Sequence, residues 1–338
     1  MAGWLWGYCL SHILFSGLSG CCKTGKKIKM KHTYKIFFTL ALAATTVFSC
    51  KTDTATGKKE IEETLIAGKA TIMVDNTVQP IVEDVLAVFH SVYDRAEITQ
   101  VNATETELIN ALMKDSVSVV VLPRLLTDEE SAHFKRKKIT PKITQFASDA
   151  VAFVTNKTTN DTIINLDEVL KVLKGEPSDR VQKLVFDNAN SSTVQYLLKL
   201  AGIKQVASQN IYSLKTNEEV IKYVHDTPGA IGIVGVNWLS QPTPSMSKYV
   251  SDIVVLAVDN VKIDKGVKKY YRPTQSNIAT GSYPLTRKLY VLNYSNRMGL
   301  GMGFATYIGA FEGQRIILKS GLLPVEIPPR EIEVRNKL

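Results

Sequence analysis

The chain has 338 residues, with 41 lysines and arginines against 32 acidic side chains. Six of those lysines and none of the acids fall in residues 1–49, leaving 35 basic and 32 acidic groups in the remainder, too even a balance for the concentrated basic surface of a nucleic-acid binder. The four cysteines, Cys9, Cys21, Cys22 and Cys50, all precede the globular part, which excludes an internal disulfide or a thiolate metal site within it.

From Met30, a short basic stretch (Lys31, His32, Lys35) leads into an apolar run at 36–48 and then into Ser49 and Cys50, the order of a secretion signal. The run has 13 residues, short of the roughly 20 needed to cross a bilayer as a helix. Val47-Phe48-Ser49-Cys50 resembles the cleavage motif of bacterial lipoprotein signals. The resemblance implies that residues 30–49 are a removed signal peptide and that Cys50 carries a lipid, placing the mature protein on a membrane of the cell envelope. Leu18-Ser19-Gly20-Cys21 has the same shape but follows a segment with no basic residue. Met30 is therefore expected as the working start, with residues 1–29 a spurious extension. Residues 50–65 are polar and poor in apolar groups, the composition of a flexible tether.

Beyond the tether, short apolar runs alternate with amphipathic stretches. Residues 70–74 read as a strand and 80–93 as a helix with Ile81, Val85, Val88, Phe89 and Val92 on one face. Strands are expected at 117–122, 150–155 and 183–186, and helices at 166–173 and 193–200, the latter ending at Gly202. This alternation predicts an α/β protein with mainly parallel sheets, and 289 residues after Ser49 suffice for two lobes. The basic cluster Lys135-Arg136-Lys137-Lys138 lacks interleaved aromatics and reads as solvated surface.

Two hydroxyl- and amide-rich turns run directly into predicted helices: Asp75-Asn76-Thr77 before Pro80, and Asn188 through Ser191-Ser192-Thr193 before Val194. Helix N-termini present unpaired N–H groups and a positive dipole end, so either could hold an anion; each is equally what an ordinary N-cap looks like. Arg124 follows the predicted strand 117–122, where a guanidinium fork would point into the crevice at the carboxyl end of a sheet, or lie on a surface loop. Asp149 stands at the mouth of the strand 150–155. There a carboxylate accepts the proton of a protonated oxyanion and repels a fully ionised one, or caps a turn. The glycines of Gly299-Leu300-Gly301-Met302-Gly303 lack the βαβ setting of a dinucleotide loop and read as close packing. His90, His133 and His225 are too scattered for a zinc site, and no nucleophile elbow occurs. No catalytic residue, metal or cofactor is expected.

The segment from about 68 to 324 resembles the substrate-binding protein of bacterial phosphate ABC transporters. The resemblance rests on Thr77-Val78-Gln79-Pro80, Arg124-Leu125-Leu126, the run Ser148 to Asn156 (SDAVAFVTN), the run Leu166 to Gly175 (LDEVLKVLKG) and Ser191-Ser192-Thr193. It continues through Pro228-Gly229-Ala230-Ile231-Gly232, Tyr283-Pro284-Leu285-Thr286-Arg287 and Phe311-Glu312-Gly313-Gln314, followed by Gly321 and Pro324.

It implies a type II periplasmic-binding-protein fold, with residues 66–149 and 280–338 in lobe one and 150–279 in lobe two. Inorganic phosphate or a similar tetrahedral oxyanion would bind in the cleft, to be handed to the transmembrane subunits of an ABC permease, and the chain would act as a monomer. Thr77, Arg124, Asp149, Ser191 and Thr193 match the family by type and place as ligand-binding residues, with Asn76, Asn188 and Ser192 as weaker matches. The pattern departs at Asp187, where the family has a cation, at Ser118 and at Asn102-Ala103-Thr104. The alternative is a membrane-tethered sensor or interaction module that keeps the fold with an altered site.

Overall fold

The computed structural model describes residues 63–207, 209–263 and 268–329. The signal segment, Cys50 and most of the expected tether lie outside these residues. Glu63 and Leu65, assigned to the tether, are packed against the folded part. The Glu63 carboxylate accepts a hydrogen bond from the Leu300 amide at 3.0 Å, at the start of helix α10 (Leu300–Gly309).

Strand β1 (Gly68–Asp75) pairs in parallel with β2 (Ala96–Ala103) and with β3 (Val119–Leu122). Helix α1 (Gln79–Val92) connects β1 to β2, and α2 (Glu105–Met113) connects β2 to β3. α1 begins with Pro80 in its first turn, where a missing N–H costs nothing. Its buried face is Ile81, Val82, Val85, Leu86 and Phe89, whereas Val88 and Val92 are exposed. The stripe is therefore turned by about one residue from the predicted one, because both Val82 and Leu86 pack inward.

Helix α3 (Asp128–Arg136) leads into the long strand β4 (Lys142–Asn156). α3 has acids in its first turn and bases in its last, the arrangement its dipole favours, and Lys135 to Lys138 are exposed, as expected of a solvated face. From Phe146 onward all but one residue of β4 is buried, so it reads as a near-continuous apolar run with both faces covered.

β4 is the strand that joins two sets of partners. Residues 142–150 pair antiparallel with β12 (Thr286–Asn293), and Val151 to Val154 pair antiparallel with β8 (Ala230–Gly235). On the first side β12 lies between β3 and β4. On the second, β8 continues in parallel to β6 (Lys183–Phe186), and β6 to β7 (Ile211–Ser213). The mainly parallel sheets of the sequence reading are thus the wings β2-β1-β3 and β8-β6-β7, with antiparallel ladders where β12 and β4 enter between them.

Between β4 and β6 lie β5 (Ile163–Ile164) and α4 (Leu166–Lys174). Helix α5 (Ser192–Ala201) follows β6 and stops at Gly202, whose φ of +70° suits a residue without a Cβ. α6 (Asn217–Asp226) precedes β8, which is followed by α7 (Asn237–Ser240), α8 (Pro244–Ser251), β9 (Ile253–Val255) and β10 (Ala257–Asp259). β5, β10 and β11 (Tyr270–Tyr271) make a small second sheet. The chain then passes through α9 (Gln275–Ala279), β12, α10, α11 (Phe311–Lys319) and β13 (Leu323–Pro324). In α10 a Cβ at Gly303 would lie 1.7 Å from the Leu65 carbonyl oxygen, and one at Gly301 would lie 2.7 Å from Val119 Cγ2. These glycines serve close packing.

Candidate functional site

The site forms where β4 changes partners, and three pieces of chain meet there. The first is the end of β1. Asp75, with 1% of its surface exposed, accepts hydrogen bonds at Oδ1 from the Thr77 amide at 2.9 Å and the Thr77 hydroxyl at 2.6 Å, closing a tight turn before α1. The turn is pinned from behind: Asn237 Nδ2 donates to the Thr77 carbonyl at 3.0 Å, and Trp238 Nε1 to the Asn76 carbonyl at 3.2 Å. The Thr77 carbonyl also passes so close to Gly235 that a Cβ there would lie 2.9 Å away.

The second piece is the start of α5. Ser191 is its N-cap, receiving the Val194 amide at 3.5 Å, and its hydroxyl lies 3.0 Å from that of Thr193. The amides of Ser192 and Thr193 belong to the first turn, where the helix offers no acceptor. The Ser192 hydroxyl donates to Asp75 Oδ1 at 2.8 Å and lies 2.9 Å from the Thr77 hydroxyl. The α5 turn and the β1 turn, 115 residues apart in sequence, are thereby in direct contact.

The third piece is a buried ion pair set by strand register. Arg287 on β12 is the cross-strand partner of Asp149 on β4. Its Nε and Nη2 donate to the two Asp149 oxygens at 3.0 and 2.5 Å, and both side chains are almost fully buried. Arg287 also donates from Nη1 to Ser192 Oγ at 3.1 Å and from Nη2 to Thr77 Oγ1 at 3.3 Å. Each hydroxyl therefore accepts from Arg287 and donates to Asp75, linking cation and carboxylate through two polarised relays. Four of the five guanidinium N–H groups are used, and one on Nη1 remains.

Burial dominates the electrostatics. Desolvation pushes the Asp75 carboxyl up to about 6, against the opposing pull of Thr77, Arg287 and Ser192. Burial draws the Arg287 guanidinium down, but Asp149 and Asp75 outweigh it and leave its pKa raised. Asp75 Oδ2 is buried and has no hydrogen-bond partner among the described residues. Asp187 is also buried, with its carboxyl raised by desolvation, and accepts from Asn217 at 3.1 Å. Asp187 is thus a buried carboxylate held by a neighbouring amide.

Of the residues singled out from the sequence, Thr77, Asp149, Ser192 and the Ser191–Thr193 pair come together. Asn188 caps its own loop, accepting the Asn190 amide at 2.8 Å, and Asn76 contributes only its pinned carbonyl. Thr104 forms a capping box with Glu107 at the start of α2, and the Ser118 carbonyl receives the Tyr294 amide. Arg124 lines a cavity of about 660 Å³ whose lining also includes Ser192, Tyr196, Leu200 and Arg287. Its Nε donates to Glu105 at 2.7 Å, its Nη1 and Nη2 to Glu130 at 2.7 and 3.0 Å, and Nη1 also to the Leu125 carbonyl. Its fork is thus engaged by protein carboxylates.

From the sequence, Asp75 was named only as part of the turn before Pro80 and Arg287 only within a shared phrase, and neither was given a ligand-binding role. Arg287 sits in phase with buried Leu289 and Val291 on β12, and that alternation alone marks it as an inward-facing charge. Among the described residues no group of three or more His, Cys, Asp or Glu side chains could hold a metal ion.

A two-winged α/β sheet with helix N-termini converging at its strand switch is the architecture of a ligand-binding cleft protein. Residues 55–310 match the family model of a PBP superfamily domain, and the chain belongs to that superfamily. It is 22% identical over 311 residues to the phosphate-binding protein PstS of Borreliella burgdorferi, an alignment covering 86% of this chain and 98% of that one. It is also 26% identical to PstS of Bacillus subtilis over 171 residues, about half of each chain.

Among solved structures, it resembles a putative phosphate ABC transporter substrate-binding protein with bound phosphate from Clostridium perfringens, at TM-score 0.63 and 18% identity. That match covers 77% of this chain and all of the other. An ABC-type phosphate transport receptor from Vibrio cholerae matches at TM-score 0.57 and 19% identity, over 76% of this chain and all of the other. These likenesses establish the fold.

Proposed function

We propose that this chain is the substrate-binding component of an ABC importer, taking up inorganic phosphate or a similar tetrahedral oxyanion. In this reading Cys50 carries a lipid, residues 66–149 and 280–338 form one lobe, residues 150–279 the other, and the loaded protein docks on permease transmembrane subunits. The observation that carries the reading is the buried junction of Arg287, the Thr77 turn and the first turn of α5 at the strand switch. It gathers a fixed cation, two hydroxyls and helix N-terminal amides around one point.

Binding replaces some of the internal hydrogen bonds with bonds to the anion. The amides of Ser192 and Thr193 and the remaining Arg287 N–H donate directly. The acceptor for a ligand proton is a free lone pair of Asp149, whose oxygens each accept one bond from Arg287, or Asp75 Oδ2, which has no protein partner. When Asp75 is ionised it claims the hydroxyl protons of Thr77 and Ser192; when it is protonated those donors are released to the anion. Arg124, clamped by Glu105 and Glu130, lines the adjoining cavity. No bond of the ligand is made or broken.

Isothermal titration with inorganic phosphate and with sulfate tests the reading. Saturable phosphate binding at micromolar ligand, with sulfate much weaker, is the expected result. Absence of heat and of thermal stabilisation at millimolar phosphate refutes the phosphate assignment.

A further inference from the structure

The buried junction holds more negative than positive charge. Asp149 and Arg287 compensate one another, and Asp75 and Asp187, each 1% exposed, form no ion pair of their own among the described residues. With the neighbouring Arg124, Glu105 and Glu130 included, two guanidinium groups are set against five carboxylates. An entering oxyanion adds to that excess.

Two bare oxygens mark where the excess is relieved. Asp75 spends Oδ1 on Thr77 and Ser192 and leaves Oδ2 buried with no hydrogen-bond partner among the described residues. Asp187, one residue beyond β6 and four before the α5 N-cap Ser191, repeats the pattern: Oδ2 accepts from Asn217 of α6, and Oδ1 is left without a hydrogen bond. A bare buried oxygen is costly in a carboxylate, and is satisfied as an O–H beside an acceptor. A bound oxyanion is such an acceptor. Burial raises both carboxyls, and Arg287 only partly opposes it, so each holds a proton more tightly than usual before any anion arrives.

The groups around them keep their charge near neutral pH. Arg287 of β12 and Asp149 of β4 are held in their ion pair, and the phenols of Tyr196 on α5 and of Tyr283 are raised by burial. The histidines of the described residues are engaged elsewhere: His90 accepts the Ile98 amide, His133 packs on Phe134, and His225 lies between Asp226 and Asp252.

We infer that the protein captures its oxyanion together with a proton: for each anion bound, one proton leaves the solvent and is held against the ligand by the buried carboxylates Asp75 and Asp187. This rests on the oxyanion reading above and adds the proton to it. Uptake means that affinity falls as pH rises, by up to about tenfold per unit for one proton.

The test is isothermal titration of the full-length protein with inorganic phosphate at about pH 8, repeated in buffers of different ionisation enthalpy. The slope of the observed heat against that enthalpy counts the protons exchanged per phosphate. Free phosphate is chiefly the dianion at this pH, so uptake reports on the complex. About one proton taken up is the expected result; fewer than about half a proton, or a release, overturns the inference while leaving the importer reading standing. Asparagine imitates a protonated carboxyl that cannot titrate, so Asp75→Asn and Asp187→Asn should each lower the count by about a third or more. A count unmoved in both variants assigns the proton to other groups and also overturns the inference. The parent's buffer series stands even where a variant fails to fold. No heat from the parent at millimolar phosphate removes the importer reading and this inference together.

Discussion

Asp75 gives the site a pH signature that can be measured without any ligand. Its carboxyl is pushed from 3.8 up to about 6, chiefly by burial, with the charged neighbour Arg287 and the hydroxyls of Thr77 and Ser192 only partly offsetting the cost. A folded-state pKa above the unfolded one means that the folded protein holds this proton more tightly. The stabilisation is complete below the unfolded value and is lost as pH rises through the folded value. At 1.36 kcal/mol per unit, the displacement corresponds to about 3 kcal/mol in full, of which somewhat under half is lost between pH 5 and pH 7.

The perturbation is Asp75→Asn, which keeps the shape and the Oδ1 acceptor but cannot titrate. Its absolute effect at one pH mixes lost charge with a buried amide in place of Oδ2. The informative quantity is therefore the difference in unfolding free energy between variant and parent, followed from pH 4 to pH 7 by urea denaturation. Other titrating groups, such as Glu107 and Glu130, whose carboxyls lie below their usual range, are common to both proteins and cancel. The difference should move in favour of the variant by about 2–3 kcal/mol across that window. A difference curve flat to within about 0.5 kcal/mol, the scale of ordinary surface effects, refutes the assignment of Asp75 as a strongly desolvated acid.

Removing half of the buried pair leaves a carboxylate without its cation, so Arg287→Met should cost about 3–5 kcal/mol in urea unfolding. Adding Asp149→Leu to it should restore most of that loss, since the stranded charge is gone. At Gly303 an alanine would normally improve a helix, but its Cβ would collide with the Leu65 carbonyl. Gly303→Ala should therefore lower the melting temperature, with a cost of about 1–3 kcal/mol, and an increase would contradict the packing described.

The strands and helices with strong local patterns were legible from the sequence. The strand at 183–186 and the helix ending at Gly202 fall where composition and capping put them. The first half of β4 was not legible: Lys142-Ile143-Thr144-Gln145 is polar enough to read as loop, and it becomes strand only because β12 lies beside it. The two-residue strands β5 and β11 are too short to carry any period.

For the site, helix-start chemistry led correctly to the Thr77 and Ser191–Thr193 turns, which do meet. Pairings across long sequence separations were hidden. Nothing local shows that Asp149 belongs to a residue 138 positions later, or that Arg124 is claimed by Glu105 and Glu130. The resemblance located Arg287 within a shared phrase but gave it no role, and only its phase with Leu289 and Val291 exposes it.

The insertion of β12 between β3 and β4 also sets the order in which the molecule can be completed. Until residue 293 has been synthesised, β3 and β4 each present a bare edge, and Asp149 lacks its guanidinium. The β3–β12–β4 part of the sheet must await the last fifth of the polypeptide, and ladders of such long sequence separation form slowly. A chain cut short before residue 286 would therefore keep its β1, β2 and β3 strands yet leave Asp149 as a buried carboxylate with no guanidinium beside it.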